Sequence, residues 1–257
     1  MNLRRRGGLI GSLMLMTGLV GGGAIYYYRK PLELRLSNMF PKDFRRQDLT
    51  GRDFSGQMLA YADLSEANCT GTSFQQADLQ YANLSGAICT ETILSDVNLQ
   101  YVNFSNVRFK HVRIHNSNCS HAIFDGAKFG DANTEGFIAG LDATIFRYTS
   151  FRKADLSLHS FHGMSGTQNR SKRAHMMDPG YGGTDMTGAI FEGANCTRCI
   201  FSRCMLTGAR FQRADCFEAN FSQADCSNAD FAGADVRGAN FDGANTTGAN
   251  FTGTRRK

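Results

Sequence analysis

The sequence predicts an all-β fold, a parallel β-solenoid of square cross-section preceded by an N-terminal hydrophobic helix. Three observations lead there. A large apolar residue recurs at every fifth position through most of the chain from Phe44 onward. All three prolines (Pro31, Pro41 and Pro179) fall outside that repeat, as expected where backbone N–H groups ladder between coils. Residues 7–28 carry no charge and are bracketed by cations. The chain of 257 residues is 42% hydrophobic and 20% charged, which rules out a disordered polyelectrolyte. Eight cysteines in this length are too sparse for a disulfide-stapled miniprotein.

Residues 1–30 form the first element. Arg4, Arg5 and Arg6 precede the apolar stretch, and Arg29 and Lys30 follow it. As a helix its 22 residues would span roughly 33 Å, enough for a hydrocarbon core of about 30 Å. Tyr26, Tyr27 and Tyr28 sit where an aromatic belt would lie. This is read as a single-pass membrane anchor through residues 7–28. The competing reading is a cleaved signal that delivers the chain to a periplasm, a lumen or an organelle. The stretch is long for that role and lacks a clear A-x-A cleavage site. Residues 31–43 are a linker and N-terminal cap.

Residues 44–161 carry the first run of repeats. Centres run from Phe44, Leu49, Phe54 and Leu59 to Phe124 and Phe129, with Cys69, Cys89 and Cys119 taking some of the places. Two before each centre stands a small or β-branched residue such as Ala62, Ala67, Thr72 or Val97. The register slips near Thr134 and resumes at Leu141, Phe146, Phe151, Leu156 and Phe161. Residues 162–185 interrupt the pattern as a loop insertion rich in Gly, where Arg170, Lys172 and Arg173 are candidate interaction residues unless the insertion is merely tolerated. Residues 186–254 carry the second run, Met186 to Phe251, and 255–257 are a basic tail.

A period of five suits neither a helix nor a flat strand. It suits a chain that turns a corner every five residues, with the centre and the residue two before it inside. Four corners close a coil of about 20 residues, and coils stack at about 4.8 Å. About nine coils make a rod roughly 45 Å long. In the second run Phe191, Phe201, Phe211, Phe221, Phe231, Phe241 and Phe251 alternate with smaller centres. That alternation should place Phe stacks on two opposite sides of the bore. Units such as Ala214-Asp215-Cys216 and Ala249-Asn250-Phe251 resemble those of the pentapeptide-repeat family. The resemblance implies a right-handed quadrilateral parallel β-helix.

Few groups point to chemistry. Cys196 and Cys199 have CxxC spacing, but both are in inward register, so buried hydrophobes are expected. His111 and His115 have the spacing of a helical metal pair where no helix is expected. No cofactor or metal site is expected, nor an enzyme. Tyr61, Tyr81 and Tyr101 lie one coil apart, each two after a centre, and His121 continues the series. They should stack as an exposed column. A ladder merely inherited by duplication is the alternative, since Leu79-Gln80-Tyr81 matches Leu99-Gln100-Tyr101. Exposed aromatic ladders are also good protein-docking surfaces.

The formal charge of +5 does not describe the repeat body. Residues 47–254 hold 16 cations and 21 acids, while the excess cations bracket the apolar segment and close the tail. A nucleic-acid partner is therefore not expected. The resemblance brings a second function class, a gyrase-binding rod that imitates duplex DNA with acidic charge. Such a mimic needs about one charge per 1.7 Å, and mixed charges such as Arg108, Arg113 and Lys128 fall short of it. The expected role is a non-catalytic, membrane-associated scaffold with protein partners, working as a subunit of a larger complex.

Overall fold

The computed structural model describes residues 41–130, 144–157 and 184–256. Backbone pairing is parallel throughout and joins each residue to the one twenty positions on, as in Asp43 with Asp63 and Asp63 with Asn83. Three segments pair continuously enough to be strands: β1 (Ile88–Thr90), β2 (Arg108–Lys110) and β3 (Lys128–Phe129), in the sheet order β1-β2-β3. The two interruptions lengthen the step without breaking the stack. Asn118 pairs with Ile145, and Ile145 with Asp185. The expected N-terminal helix and membrane anchor, and residues 162–183 of the expected loop at 162–185, lie outside the described residues, while Asp185 already pairs within the stack, with Ile145 and Met205. Among the described residues, no helix is long and apolar enough to cross a membrane.

The hydrogen bonds explain why the unit has five residues. Around the centre Leu64, four of the five N–H groups go to backbone carbonyls. Asp63 N–H donates to Lys42 in the coil before (2.9 Å), Leu64 to Asn83 in the coil after (2.7 Å) and Glu66 to Ser85 (2.9 Å). Ala67 closes the corner by donating to Leu64 (3.1 Å). The remaining N–H, that of Ser65, is satisfied by the Asp63 side chain (3.0 Å). Asp or Asn before the centre is therefore a structural cap, an Asx turn built into many of the units. The same bond recurs at Ser85 to Asn83, Thr197 to Asn195 and Ala232 to Asp230. Each corner residue, two after a centre, sits at positive φ, the signature of a type II turn. Gly86 (φ 70°) and Gly238 (φ 67°) take that conformation without the Cβ penalty.

Inside, the expected side chains meet. Phe191, Phe211, Phe231 and Phe251 stack at 4.5, 4.8 and 5.0 Å. Phe201, Phe221 and Phe241 stack on the facing side at 5.0 and 4.8 Å. The two columns touch edge to face, at 5.4 Å between Phe221 and Phe231. Cys196, Cys216 and Cys226 fill the narrower sides between them. In the middle of the rod the bulky pair instead occupies adjacent sides, with Phe104 against Phe109 (5.5 Å) and Phe124 against Phe129 (5.7 Å). Most buried hydroxyls two before a centre are also satisfied, Thr184 being an exception. Thr72, Thr92 and Thr149 each donate to the carbonyl of a centre in the coil before, Leu49, Cys69 and Cys119 respectively.

Two outcomes follow from this packing. Phe221→Ala should lower the unfolding free energy by about 3–5 kcal/mol in guanidinium titrations, and Phe241→Ala, at the half-buried end of the column, by less. An equal loss at both positions would contradict the stacked-bore account. The outward carboxylates make the second. Asp43 falls from its ordinary 3.8 to about 2, chiefly through the Arg45 side chain, and Thr50 lowers Asp48. A lowered carboxylate stabilises the fold above its ordinary value, and that contribution is lost as pH falls toward the lowered one. The urea midpoint should therefore hold from neutral pH down to about 4 and drop between about 4 and 2.

Candidate interaction surface

The corner that follows each fourth centre carries the aromatic column. Tyr61, Tyr81, Tyr101 and His121 all occupy left-handed corner positions, with φ between 60° and 62°. Their rings stack at 4.9, 4.8 and 4.8 Å, and the planes of Tyr101 and His121 lie within 2° of parallel. The structure adds a fifth ring. Tyr148 (φ 54°) stacks on His121 at 5.3 Å, so the column runs roughly 20 Å, about four coil spacings. Tyr148 breaks the twenty-residue spacing because the first interruption lies between it and His121. Counting two on from the centre Phe146 would have found it.

Beyond Tyr148 the column ends on Gly188, where a Cβ would stand 2.6 Å from the tyrosine ring. Tyr81, Tyr101 and Tyr148 are 40%, 43% and 56% exposed. Because the rings stack along the rod, their edges and hydroxyls face outward. Desolvation between its neighbours raises the pKa of the Tyr81 phenol, with Tyr101 and Tyr61 adding to it. Beside the column Gln80 donates to Gln100 (3.2 Å), forming a neutral amide ladder.

The remaining candidates divide plainly. Arg170, Lys172 and Arg173 lie outside the described residues. Cys196 and Cys199 are buried, and Cys199 Sγ lies 2.7 Å from the Leu156 carbonyl oxygen. Burial first, then the Cys199 and Cys216 thiols, raises the Cys196 pKa well above the ordinary value, and burial pushes Cys226 up to about 12. Thiols in that state are neither nucleophiles nor ready metal ligands. His111 and His115 are exposed, on either side of the buried Val112 and Ile114. Among the described residues no group of three or more His, Cys, Asp or Glu is placed to hold a metal.

Tyr81 offers a separation of structure from surface. A tyrosine at positive φ carries a conformational cost of roughly 1–2 kcal/mol that glycine avoids. The two stacks it would lose, on Tyr61 and Tyr101, are worth about 0.5–1.5 kcal/mol each, so the two effects largely offset one another. Tyr81→Gly should therefore leave the guanidinium midpoint nearly unchanged while it interrupts the column. A large loss of stability would mean that the column serves the fold.

The family model for pentapeptide repeats matches residues 43–76, 59–93, 92–131, 182–215 and 219–255. Comparison with curated proteins returns no match. Among solved structures, HetL, a pentapeptide repeat protein involved in heterocyst differentiation regulation in the cyanobacterium Nostoc sp. strain PCC 7120, is 24% identical. That alignment covers 82% of this chain and 79% of HetL, with a TM-score of 0.37. QnrB1, a plasmid-mediated fluoroquinolone resistance protein, is 21% identical over 79% of this chain and 87% of its own, with a TM-score of 0.41. A pentapeptide repeat protein of the Arabidopsis thaliana thylakoid lumen is 23% identical over 48% of this chain and 71% of its own, with a TM-score of 0.19.

Proposed function

The chain belongs to the pentapeptide-repeat family, and we propose that it is a non-catalytic, membrane-associated scaffold that binds protein partners along its aromatic edge. The observation that carries this reading is the column of Tyr61, Tyr81, Tyr101, His121 and Tyr148. Five flat rings occupy corners where glycine is conformationally cheaper, and they leave tyrosine edges and hydroxyls in solvent. Tyrosine is among the residues that dominate binding energy in protein interfaces. The membrane part rests on the uncharged residues 7–28 and their flanking cations.

The DNA-imitating alternative meets an obstacle in the side-chain ladders. Along each side an Asp is commonly followed by an Asn that donates to it, as Asn83 does to Asp63, Asn98 to Asp78 and Asn245 to Asp225. Where two aspartates adjoin, arginine is present. Arg45 contacts both Asp43 and Asp63, and Arg237 and Arg255 flank Asp235. The acidic charge is thereby diluted and partly neutralised.

Affinity capture with the full chain should lose its partners when Tyr81 and Tyr101 are both changed to Gly, and membrane fractionation should leave the chain with the membranes. Unchanged partners would remove the aromatic edge from the reading. A wholly soluble full-length product would remove the membrane. Inhibition of gyrase supercoiling by the purified chain would put the DNA-imitating alternative first.

A further inference from the structure

The Asx cap is given up together on two adjacent sides of the rod. Just before the centre, where Asp or Asn would cap the backbone, one side carries Ile88, Arg108 and Lys128 on successive coils. The adjoining side carries Ile93 and then Arg113. None of these side chains has an oxygen to accept the N–H that the cap serves, and on the first side the strand ladder takes it instead, Gly130 N–H donating to the Phe109 carbonyl (2.7 Å). Other departures, such as Met58, Ile190 and Ile200, are uncharged, while Arg210 has Asp230 beside it on the next coil. Where the ladder relieves the outward position of its capping duty, that position is free to take a side chain that serves the surface.

What replaces the caps is positive charge. Arg108 and Lys110 flank the buried Phe109 in β2, and Lys128 lies beside Arg108 in β3. The chain then turns at His111 (φ 52°), and Arg113 and His115 leave the adjoining side, all three exposed. Elsewhere Arg46, Arg147, Arg152, Arg198, Arg213 and Arg237 each hold a carboxylate. Arg108, Lys110, Arg113 and Lys128 have no ion-pair partner among the described residues. The nearest acids border the patch. Glu91 occupies the same corner one coil earlier, Asp155 follows Lys128 and is bonded by Asn195, and Asp96 accepts from Asn116. Ile88, 41% exposed, adds an apolar side chain next to Arg108.

The shape of this patch selects its ligand. The cations stand on both sides of a convex corner, so they cannot converge on a small anion or enclose an extended peptide. A broad anionic surface touches them all, because long Lys and Arg side chains on both sides reach one tangent plane. We propose that this corner docks the rod against an anionic lipid surface. The contact goes beyond the scaffold reading and needs no N-terminal anchor.

The test is partitioning of the full chain onto phosphatidylcholine vesicles with and without about one-third phosphatidylserine. The variant Arg108→Gln/Lys110→Gln/Arg113→Gln/Lys128→Gln is compared with a charge-matched control, Arg52→Gln/Lys153→Gln/Arg203→Gln/Arg210→Gln. The patch variant should lose about tenfold or more in partitioning onto the phosphatidylserine vesicles, and the control should stay near the wild type. Equal losses in both variants, or none in the patch variant, would overturn the proposal. So would patch-dependent binding of polyglutamate without patch-dependent binding of vesicles, which would assign the corner to an acidic protein. Equal binding of the wild type to both vesicle types would leave the anchor reading intact and remove this one.

Discussion

The rod depends on one constraint: in most units of five residues, four backbone N–H groups find carbonyls and the fifth needs a side-chain oxygen. A buried or half-buried amide without a partner costs free energy comparable to a lost hydrogen bond. The chain meets that demand locally, with an Asx oxygen two residues back, as in Asp63 to Ser65 and Asn195 to Thr197. The composition follows from it. Proline is excluded because the ladder needs its missing N–H. Asp and Asn recur because they carry the cap, and glycine recurs because the next residue must turn through positive φ. The acidity of the body is thus in large part a by-product of backbone bookkeeping rather than a designed electrostatic surface.

A bore closed this way has fixed width, and the side chains must fill it coil by coil. Two Phe and two smaller residues suffice in the second run, where the rings alternate between facing sides and meet edge to face. The column through Phe104, Phe124, Phe151 and Phe191 passes both interruptions with ring spacings of 4.8, 5.1 and 5.1 Å. An insertion is tolerated because each coil needs only its neighbours. After each interruption the described residues resume the pairing, Ile145 with Asn118 and Asp185 with Ile145.

Much of this could be read from the sequence because period and packing are the same information here. The inward positions, the burial of all eight cysteines and the stacking of Tyr61, Tyr81, Tyr101 and His121 all follow from counting. Three things did not follow. Tyr148 was hidden because counting by twenty fails across the interruption that precedes it. The tilt by which the Phe104 and Phe109 rings share one layer from adjacent sides depends on how neighbouring coils share volume, which no single unit encodes. The role of the outward Asp and Asn was invisible because a side chain that points outward looks solvated until its bond to the backbone is seen. Residues such as Ile88 and Arg108 then looked like ordinary surface variation, although each has given up a cap.

Once caps and corners are understood as structural defaults, departures from them can be placed against one another. Five residues make a side, so corners recur every five positions and opposite corners lie ten apart. His111 stands ten residues from Tyr101 and ten from His121, so the cationic corner and the aromatic column are diagonally opposed on the same coils. Each departs from the default in its own way, with rings replacing corner glycines on one edge and cations replacing Asx caps on the other. A surface held at the cationic edge would leave the tyrosine edge facing directly away from it. Two binding edges on a square rod interfere least in that arrangement, because the full diagonal of the rod separates what each one holds.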